Sequence, residues 1–535
     1  MSARAAWLVG AGIFLSRIAG FVREAAFAYF FGNSAVADVW RAALRTPNVL
    51  QNLLGEGTLS ASFIPVYAAM LERGEDEAAG RFAGAALGIL ATVSFGSALV
   101  GILVAPLLVR FLYFEWPPWQ QDLAVHLIRI LFLMTGVLAV SAWALGVLNS
   151  HRRFFVSYVA PVAWNLAIIT ALGIFGLRLG WPQESLVVAA AWGALVGGVL
   201  QLLVQLPWVV PVLGHFRLSL SRRVAGVSEA IRNFVPVVSA RGVVNLSGWL
   251  DTILAHTLAI GAIAALGYAQ TLYLLPISLF GMSIAASELP ELSRQREVAR
   301  QGLAGRVSTA LGKIFFLLVP STVAYIALGD LFVGALLQRG AFQPVVTALV
   351  YVVLAAYSLG LLASSSSRVL SSAFYALRDT RTPARVAYLR VALSLALGAA
   401  LMFPLDALTI TQAGETRRLG AVGLALGASL GSWVEYVLLR RRLADALGPH
   451  GPGSRTTRGV VAAALAALVL GVGAKWALGS LAPLRPGLVH AWLGEGHWGV
   501  PLLLAMGTAM VFGVTYLAAA SALGVGVPLR RLLRR

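Results

Sequence analysis

The chain has 535 residues, of which 59% are hydrophobic and only 12% charged; it carries a formal net charge of +19 and has no cysteine. Soluble domains are about half apolar and a quarter charged, so this composition, with a mean hydropathy of +0.82, describes a membrane protein. The missing cysteine excludes disulfides, thiolate catalysis and Cys-type metal sites. The basic residues are scattered through short connectors rather than gathered on one soluble face or tail, which excludes a nucleic-acid partner.

A hydrocarbon layer of ~30 Å requires roughly 20 apolar residues per helix, and such runs recur along the whole sequence. The short alternating segments of a membrane barrel are not visible. The predicted fold is therefore all-α and polytopic, with about fourteen transmembrane helices. They fall roughly over 5–31, 36–71, 82–110, 121–149, 155–177, 185–213 and 228–259, then 263–292, 307–329, 344–377, 383–404, 418–439, 459–481 and 498–524. The first run lacks a small-residue cleavage site and continues into a charged helix, so it reads as a span rather than a signal peptide. The connectors are too short to hold a soluble catalytic domain.

Orientation follows from arginine. With a cytoplasmic N-terminus, one set of connectors holds Arg4, Arg73, Arg81, Arg152, Arg153, Arg217, Arg222, Arg223, Arg294, Arg296, Arg300, Arg306, Arg378, Arg381, Arg385, Arg440, Arg441, Arg442, Arg455 and Arg458. The tail adds Arg530, Arg531, Arg534 and Arg535, whereas the opposite set has only Arg178, Arg339, Arg417, Arg418 and Arg485. The positive-inside rule then predicts both termini in the cytoplasm. The aromatic connector Phe114-Glu115-Trp116-Pro117-Pro118-Trp119 lies outside. A weak repeat with a period of ~225 residues aligns Pro47 and Phe63-Ile64-Pro65 with Pro276 and Glu288-Leu289-Pro290, as in transporters built from two similar halves.

Charge inside the spans carries the functional signal. The first span contains Arg17, Arg23 and Glu24; Arg17 and Glu24 share a face, with Gly20 between them. An arginine at mid-helix costs ~2.5–3.5 kcal/mol on insertion scales, so these groups need a partner or water. In the second span Asp38, Arg41, Arg45, Asn48, Asn52, Glu56 and Ser60 fall on one stripe that would run ~33 Å along a continuous helix. Pro47 would kink that helix. Two readings are open for the stripe. It forms buried ion pairs, Asp38 with Arg41 and Glu56 with Arg17, or it faces a hydrated cavity for an anion, since arginine exceeds its acidic partners and its planar fork suits phosphate. The seventh span adds Arg241 and Asn245 on one face, with Asp251 beyond them, and the eighth offers Gln270, Thr271 and Tyr273. His256 reads as an ordinary polar residue near the outer boundary. The connector Arg378-Asp379-Thr380-Arg381-Thr382-Pro383 reads as a helix stop and restart. No phosphate loop, metal-ligand cluster, nucleophile–base pair or catalytic carboxylate pair is present, which disfavours an enzyme such as a glycosyltransferase.

Leu15-Ser16-Arg17 with Gly20-Phe21-Val22-Arg23-Glu24, and Arg45-Thr46-Pro47-Asn48-Val49-Leu50 followed by Gly55-Glu56-Gly57 and Ser60 to Pro65, resemble the MurJ (MviN) lipid II flippase family. Further matches are Leu148-Asn149-Ser150, Ala160-Pro161 with Asn165, Tyr268-Ala269-Gln270, Leu336 to Phe342 and Phe374 to Asp379. They run in order through the first ~400 residues, and the last two spans match in hydropathy alone. The resemblance implies a transporter of the multidrug/oligosaccharidyl-lipid/polysaccharide exporter superfamily. It implies a six-helix lobe over 1–220, a second over 221–450, a cationic cavity between them, and two additional helices over 451–535 that form a lipid-tail groove. The implied activity moves undecaprenyl-diphosphate-linked peptidoglycan precursor from the inner to the outer leaflet of the bacterial cytoplasmic (inner) membrane by alternating access. The implied partners are lipid II or a related polyprenyl-diphosphate glycan, membrane lipids and cell-wall synthesis proteins.

By matched motif, Arg17, Arg23, Asp38, Arg45 and Glu56 fall on the family's charged positions. Arg41, Asn48, Asn52 and Arg241 join them as substrate-binding candidates, and Asp251 is a candidate cation contact. No cofactor is expected; coupling would come from an ion or the membrane potential, worth ~2.3 kcal/mol per charge per 100 mV. Two departures stand out. The family pattern usually has arginine where this chain has Gln51 and Thr271, and the expectation is that Arg41 and Arg241 restore that charge from neighbouring turns. The alternatives are a flippase for another lipid-linked glycan, a drug/cation antiporter of the same superfamily, and a non-transporting membrane scaffold.

Overall fold

The computed structural model describes residues 3–281, 284, 300–412, 414–479 and 499–525. The chain folds as two compact units, Met1–Ile263 and Ala264–Arg535. Among the described residues, eleven helical segments are long and apolar enough to cross a membrane. They coincide with eleven of the fourteen expected spans. The other three, 5–31, 36–71 and 228–259, correspond to helical segments that include Arg17, Arg23, Glu24, Asp38, Arg41 and Arg45.

In the first unit α1 (Ala3–Phe31) is followed by α2 (Ala35–Leu54), α3 (Glu56–Ser62), α4 (Ile64–Glu72), α5 (Asp76–Leu112), α6 (Pro118–Ser150), α7 (Phe154–Ala171, extended by a π-helical segment to Arg178), α8 (Gln183–Val209) and α9 (Val227–Ala255). The core lies on α6, whose Leu127, Ile128, Leu131, Met134 and Leu148 are fully buried. This helix packs against α2, α5 and α8. Phe63 stacks on both Tyr67 and Phe82, at 5.2 and 5.3 Å between ring centroids, and closes the end of the unit near α4.

The expected second span is not one helix. The chain stays helical through Pro47 but breaks at Gly55, whose backbone is extended (φ −86°, ψ −162°), and again at Phe63. The break suits glycine: a Cβ at Gly55 would lie 2.4 Å from the Gln51 carbonyl oxygen. Helical register is therefore kept from Asp38 to Asn52 and lost beyond it, so Glu56 and Ser60 do not continue the same stripe. This corrects the ~33 Å continuous line, which assumed an unbroken rise of 1.5 Å per residue.

A second feature of this unit was not foreseen. Gly80, Gly84 and Gly88, one turn apart on α5, make a bare track against which the irregular connector 214–220 lies. A Cβ at these positions would meet the backbone oxygens of Gly214, Arg217 and Ser219 at 1.9, 2.1 and 2.3 Å. The connector thus packs backbone to backbone on a helix, which only small residues permit.

The second unit contains α10 (Ala262–Pro276, extended to Gly281), α11 (Arg300–Leu337), α12 (Pro344–Ser358), α13 (Leu361–Ala376), α14 (Arg381–Asp406), α15 (Gly420–Leu447), α16 (Ser454–Leu478) and α17 (Val500–Ala522). The expected stop and restart near Asp379 is present. Its Oδ1 accepts from the Arg381 and Thr382 amides at 3.0 and 2.9 Å. Hydrogen bonds from Thr382, led by its side chain, hold that carboxyl below its ordinary pKa. Helices α14 and α15 approach closely because Gly423, Gly427 and Gly431 face Met402, Gly398 and Ser394. Between them stands an antiparallel hairpin, β1 (Thr409–Gln412) and β2 (Glu415–Arg418), with Thr409 opposite Arg418 and Gln412 opposite Glu415. Helices α16 and α17 pack on α11 through Phe316, Leu328, Ala464, Phe512 and Tyr516. Lys475 on α16 also meets Asp330 on α11 in a 2.6 Å ion pair.

Candidate functional site

The charged groups of α1 and α2 form one network. Glu24 is 7% exposed; one carboxylate oxygen accepts from Arg23 at 2.6 Å and the other from Arg41 of α2. Two guanidinium groups thus share one carboxylate. Arg41 also lies over the Phe27 ring and Arg23 over the Trp164 ring, 5.7 and 4.7 Å from the centroids. Arg41 thus joins α2 to α1 through Glu24. Asp38 is 5% exposed, and its Oδ2 accepts from the Gly261 amide at 2.6 Å, pinning the turn after α9. That turn needs glycine, since Gly261 has φ +92° and a Cβ there would overlap Asn33. Asp38→Asn removes the charge from this buried hydrogen bond, and a loss of roughly 1–2 kcal/mol is expected, read as a lower melting temperature of the purified protein.

Arg45 donates from Nε to the Gly248 carbonyl at 3.3 Å. Gly248 leaves room for it, because a Cβ would sit 2.0 Å from Arg45 Nη2. Arg17 is exposed, with no ion pair or hydrogen bond among the described residues. The side chains of Glu56, Arg241 and Asn245 lie outside the described residues, as does the suggested pairing of Glu56 with Arg17. Asp251 is half-buried on α9. No group of three or more His, Asp or Glu suited to a metal ion occurs among the described residues. His256 is buried against the aromatic connector, with its ring edge-on to Tyr113 and Phe114.

Asn48 and Asn52 open onto a cavity of about 460 Å³ within the first unit, and Gln51 lines it beside them. Its other polar walls are Ser141 of α6, Gln201 of α8 and Trp164 of α7, with Leu138, Ala142 and Leu145 supplying apolar surface. The Ser141 hydroxyl donates to Gln205 Oε1 at 2.8 Å and accepts from Gln201 Nε2 at 3.0 Å. None of the lining residues is charged. Arg23, Arg41 and Arg45 are not among them. Of the seven expected substrate contacts whose side chains are described, only the two asparagines line this cavity.

The second unit holds charges that the sequence reading passed over. Arg390 of α14 pairs with Glu435 of α15 at 3.3 Å. Arg368 of α13 lies within electrostatic reach of both and of Tyr273, which is within hydrogen-bond reach of Ser364. Each is an isolated charge within a long apolar run, too little to disturb hydropathy. An ionisable residue inside a span is itself the signal that could have found them. In the eighth span, Gln270 donates to the Tyr357 hydroxyl at 2.9 Å, and Thr271 turns its hydroxyl back to the Gly267 carbonyl at 3.0 Å.

Comparison with known proteins places this architecture. A family model described as lipid II flippase MurJ matches residues 27–487. The chain is 32% identical over 435 residues to a probable lipid II flippase MurJ of Rhizobium tropici, covering 81% of this chain and 79% of that protein. It is 31% identical over 475 residues to the lipid II flippase MurJ of Burkholderia cenocepacia, covering 87% and 88%. A solved lipid II flippase MurJ in an inward closed conformation matches with a TM-score of 0.75 at 20% identity, over 96% of this chain and 99% of that one. An inward-facing multidrug resistance MATE family transporter of the MOP superfamily matches at 0.66 with 16% identity, over 80% and 95%. At those identities the structural likeness establishes the fold.

Proposed function

The chain belongs to the lipid II flippase MurJ family, and from that membership we propose that it carries lipid II from the inner to the outer leaflet of the bacterial inner membrane. The diphosphate and sugars of such a lipid cannot cross hydrocarbon unaided, while its polyprenyl tail belongs there. The structural observation that supports the reading is polar chemistry at membrane depth: a cationic network on α1 and α2 next to a cavity lined by amides. In this reading Arg17, Arg23, Arg41, Arg45 and Arg241 supply cations for the diphosphate, with Asn48, Asn52, Asp38 and Glu56 shaping the site. Alternating access moves the headgroup, and the membrane potential or an ion returns the empty carrier. Asp251 is the proposed cation contact. The excess of arginine in one set of connectors supports a cytoplasmic location for both termini. Proteins of cell-wall synthesis are the proposed partners.

The test is replacement of the flippase in a cell depleted of its own, scoring survival and outer-leaflet lipid II. Growth should be restored. Arg41→Ala and Arg241→Ala should each lower outer-leaflet lipid II several-fold; if both leave it intact, these residues do not make up for Gln51 and Thr271. Correct membrane expression without rescue would favour another lipid-linked glycan as cargo.

A further inference from the structure

We propose that the cavity of the first unit is a subsite for an uncharged acetamido sugar of the headgroup, set beside the cations that hold the phosphates; this rests on the flippase reading above. The lining chemistry argues for it. Asn48, Gln51, Asn52 and Gln201 are carboxamides, and Ser141 adds a hydroxyl. Each carboxamide offers a donor and an acceptor, whereas phosphate oxygens only accept. A phosphate in this cavity would face carbonyl lone pairs with no cation among the lining residues. An acetamido group presents one N–H and one C=O pointing in opposite directions, which two of these carboxamides can meet with one hydrogen bond each, and sugar hydroxyls both donate and accept.

The groups are also held ready. Ser141 is fully buried and fixed between Gln205 and Gln201, which leaves the Gln201 carbonyl oxygen to accept from a ligand. The side chains of Asn48 and Gln51 have no hydrogen-bond partner among the described residues. Such groups at a half-buried position favour a polar occupant. The cavity volume of about 460 Å³ falls in the size range of small-molecule sites.

Position joins this subsite to the phosphates. The Trp164 ring lines the cavity, its Nε1–H directed to the Met134 sulfur at 3.4 Å. The Arg23 guanidinium lies over the same ring at 4.7 Å. A sugar lying along this wall would place its anomeric oxygen, and the diphosphate bonded to it, towards Arg23. Gln51 is then a specificity residue: its neutral amide serves the sugar, and the phosphate charge is met by neighbouring arginines.

The experiment compares two lipids on the full purified chain by native mass spectrometry: lipid II, and undecaprenyl diphosphate, which carries the phosphates but no sugar. The intact chain should prefer lipid II by about tenfold or more. Gln51→Leu and Gln201→Leu should each remove most of that preference while undecaprenyl diphosphate still binds. Equal binding of the two lipids by the intact chain, or variants that lose both lipids alike, would overturn the subsite. If the intact chain binds neither lipid, the flippase reading itself falls. A measurement without variants guards against misfolding: N-acetylglucosamine disaccharide should displace lipid II from the intact chain better than cellobiose, which lacks the acetamido group. Equal displacement by the two sugars would again refute the assignment.

Discussion

Glu24→Ala is expected to cost about 3–5 kcal/mol and to leave little folded protein in the membrane. The substitution removes the carboxylate that Arg23 and Arg41 share, and a largely buried charge that loses an ion-pair partner costs far more than the original pair was favourable. Both arginines now share that carboxylate, with side chains 19% and 13% exposed, so water can offset only part of the loss. Thermal stability of the purified chain, followed by size-exclusion after heating, reads the effect. Glu24→Gln should fall between, because it keeps one acceptor but no charge. Combining Glu24→Leu with Arg41→Met should recover part of the stability by removing charge from both sides. An unchanged melting temperature for Glu24→Ala would show that the network does not hold α1 to α2.

The second large effect concerns the glycine track on α5. Gly84→Val places atoms where the Arg217 backbone runs: even a lone Cβ would lie 2.1 Å from the Arg217 oxygen and 2.6 Å from its carbonyl carbon. Both sides of that contact are main chain, so neither can swing away. Overpacking of this kind costs about 1–3 kcal/mol, and more where relief requires a segment to detach. The expected outcome is release of the connector, seen as rapid tryptic cleavage after Arg217 in the variant and slow cleavage in the parent chain. Gly96→Val on the same helix is the control, since nothing lies within 4 Å of a Cβ there. Equal cleavage rates in the two variants would refute the clamp.

The apolar spans were legible because hydrophobic run length is a strong, local signal. Asn48 and Asn52 were legible for a similar reason, being part of a helical stripe that survives as far as Asn52. The pairing of charges was not. Helical spacing gives the face on which Arg41 lies, but its meeting with Glu24 depends on how two helices cross. The rest of the cavity escaped notice because Ser141, Trp164 and Gln201 come from three different helices, each a lone polar or amphipathic group in an apolar run. Arg368, Arg390 and Glu435 were missed in the same way. The break at Gly55 was hidden because glycine is common between packed spans, and only the close approach to Gln51 marks this one. The hairpin at 409–418 has four-residue strands, too short for alternation to register.

The strap over the α5 track also changes where the chain can be tagged. By sequence, His215 to Arg223 is polar, charged and free of helix signals, the stretch that would be chosen for an epitope or a reporter of membrane sidedness. Its backbone is instead seated on α5, so an insertion there would have to lift the strap out of its track. The turn at Gly414 is the better location: it has φ +81°, nothing lies within 4 Å of a Cβ built on it, and it caps a hairpin whose residues are exposed or half-buried. A reporter at that tip would record the sidedness of the α14–α15 connection without disturbing the helices that carry the polar site.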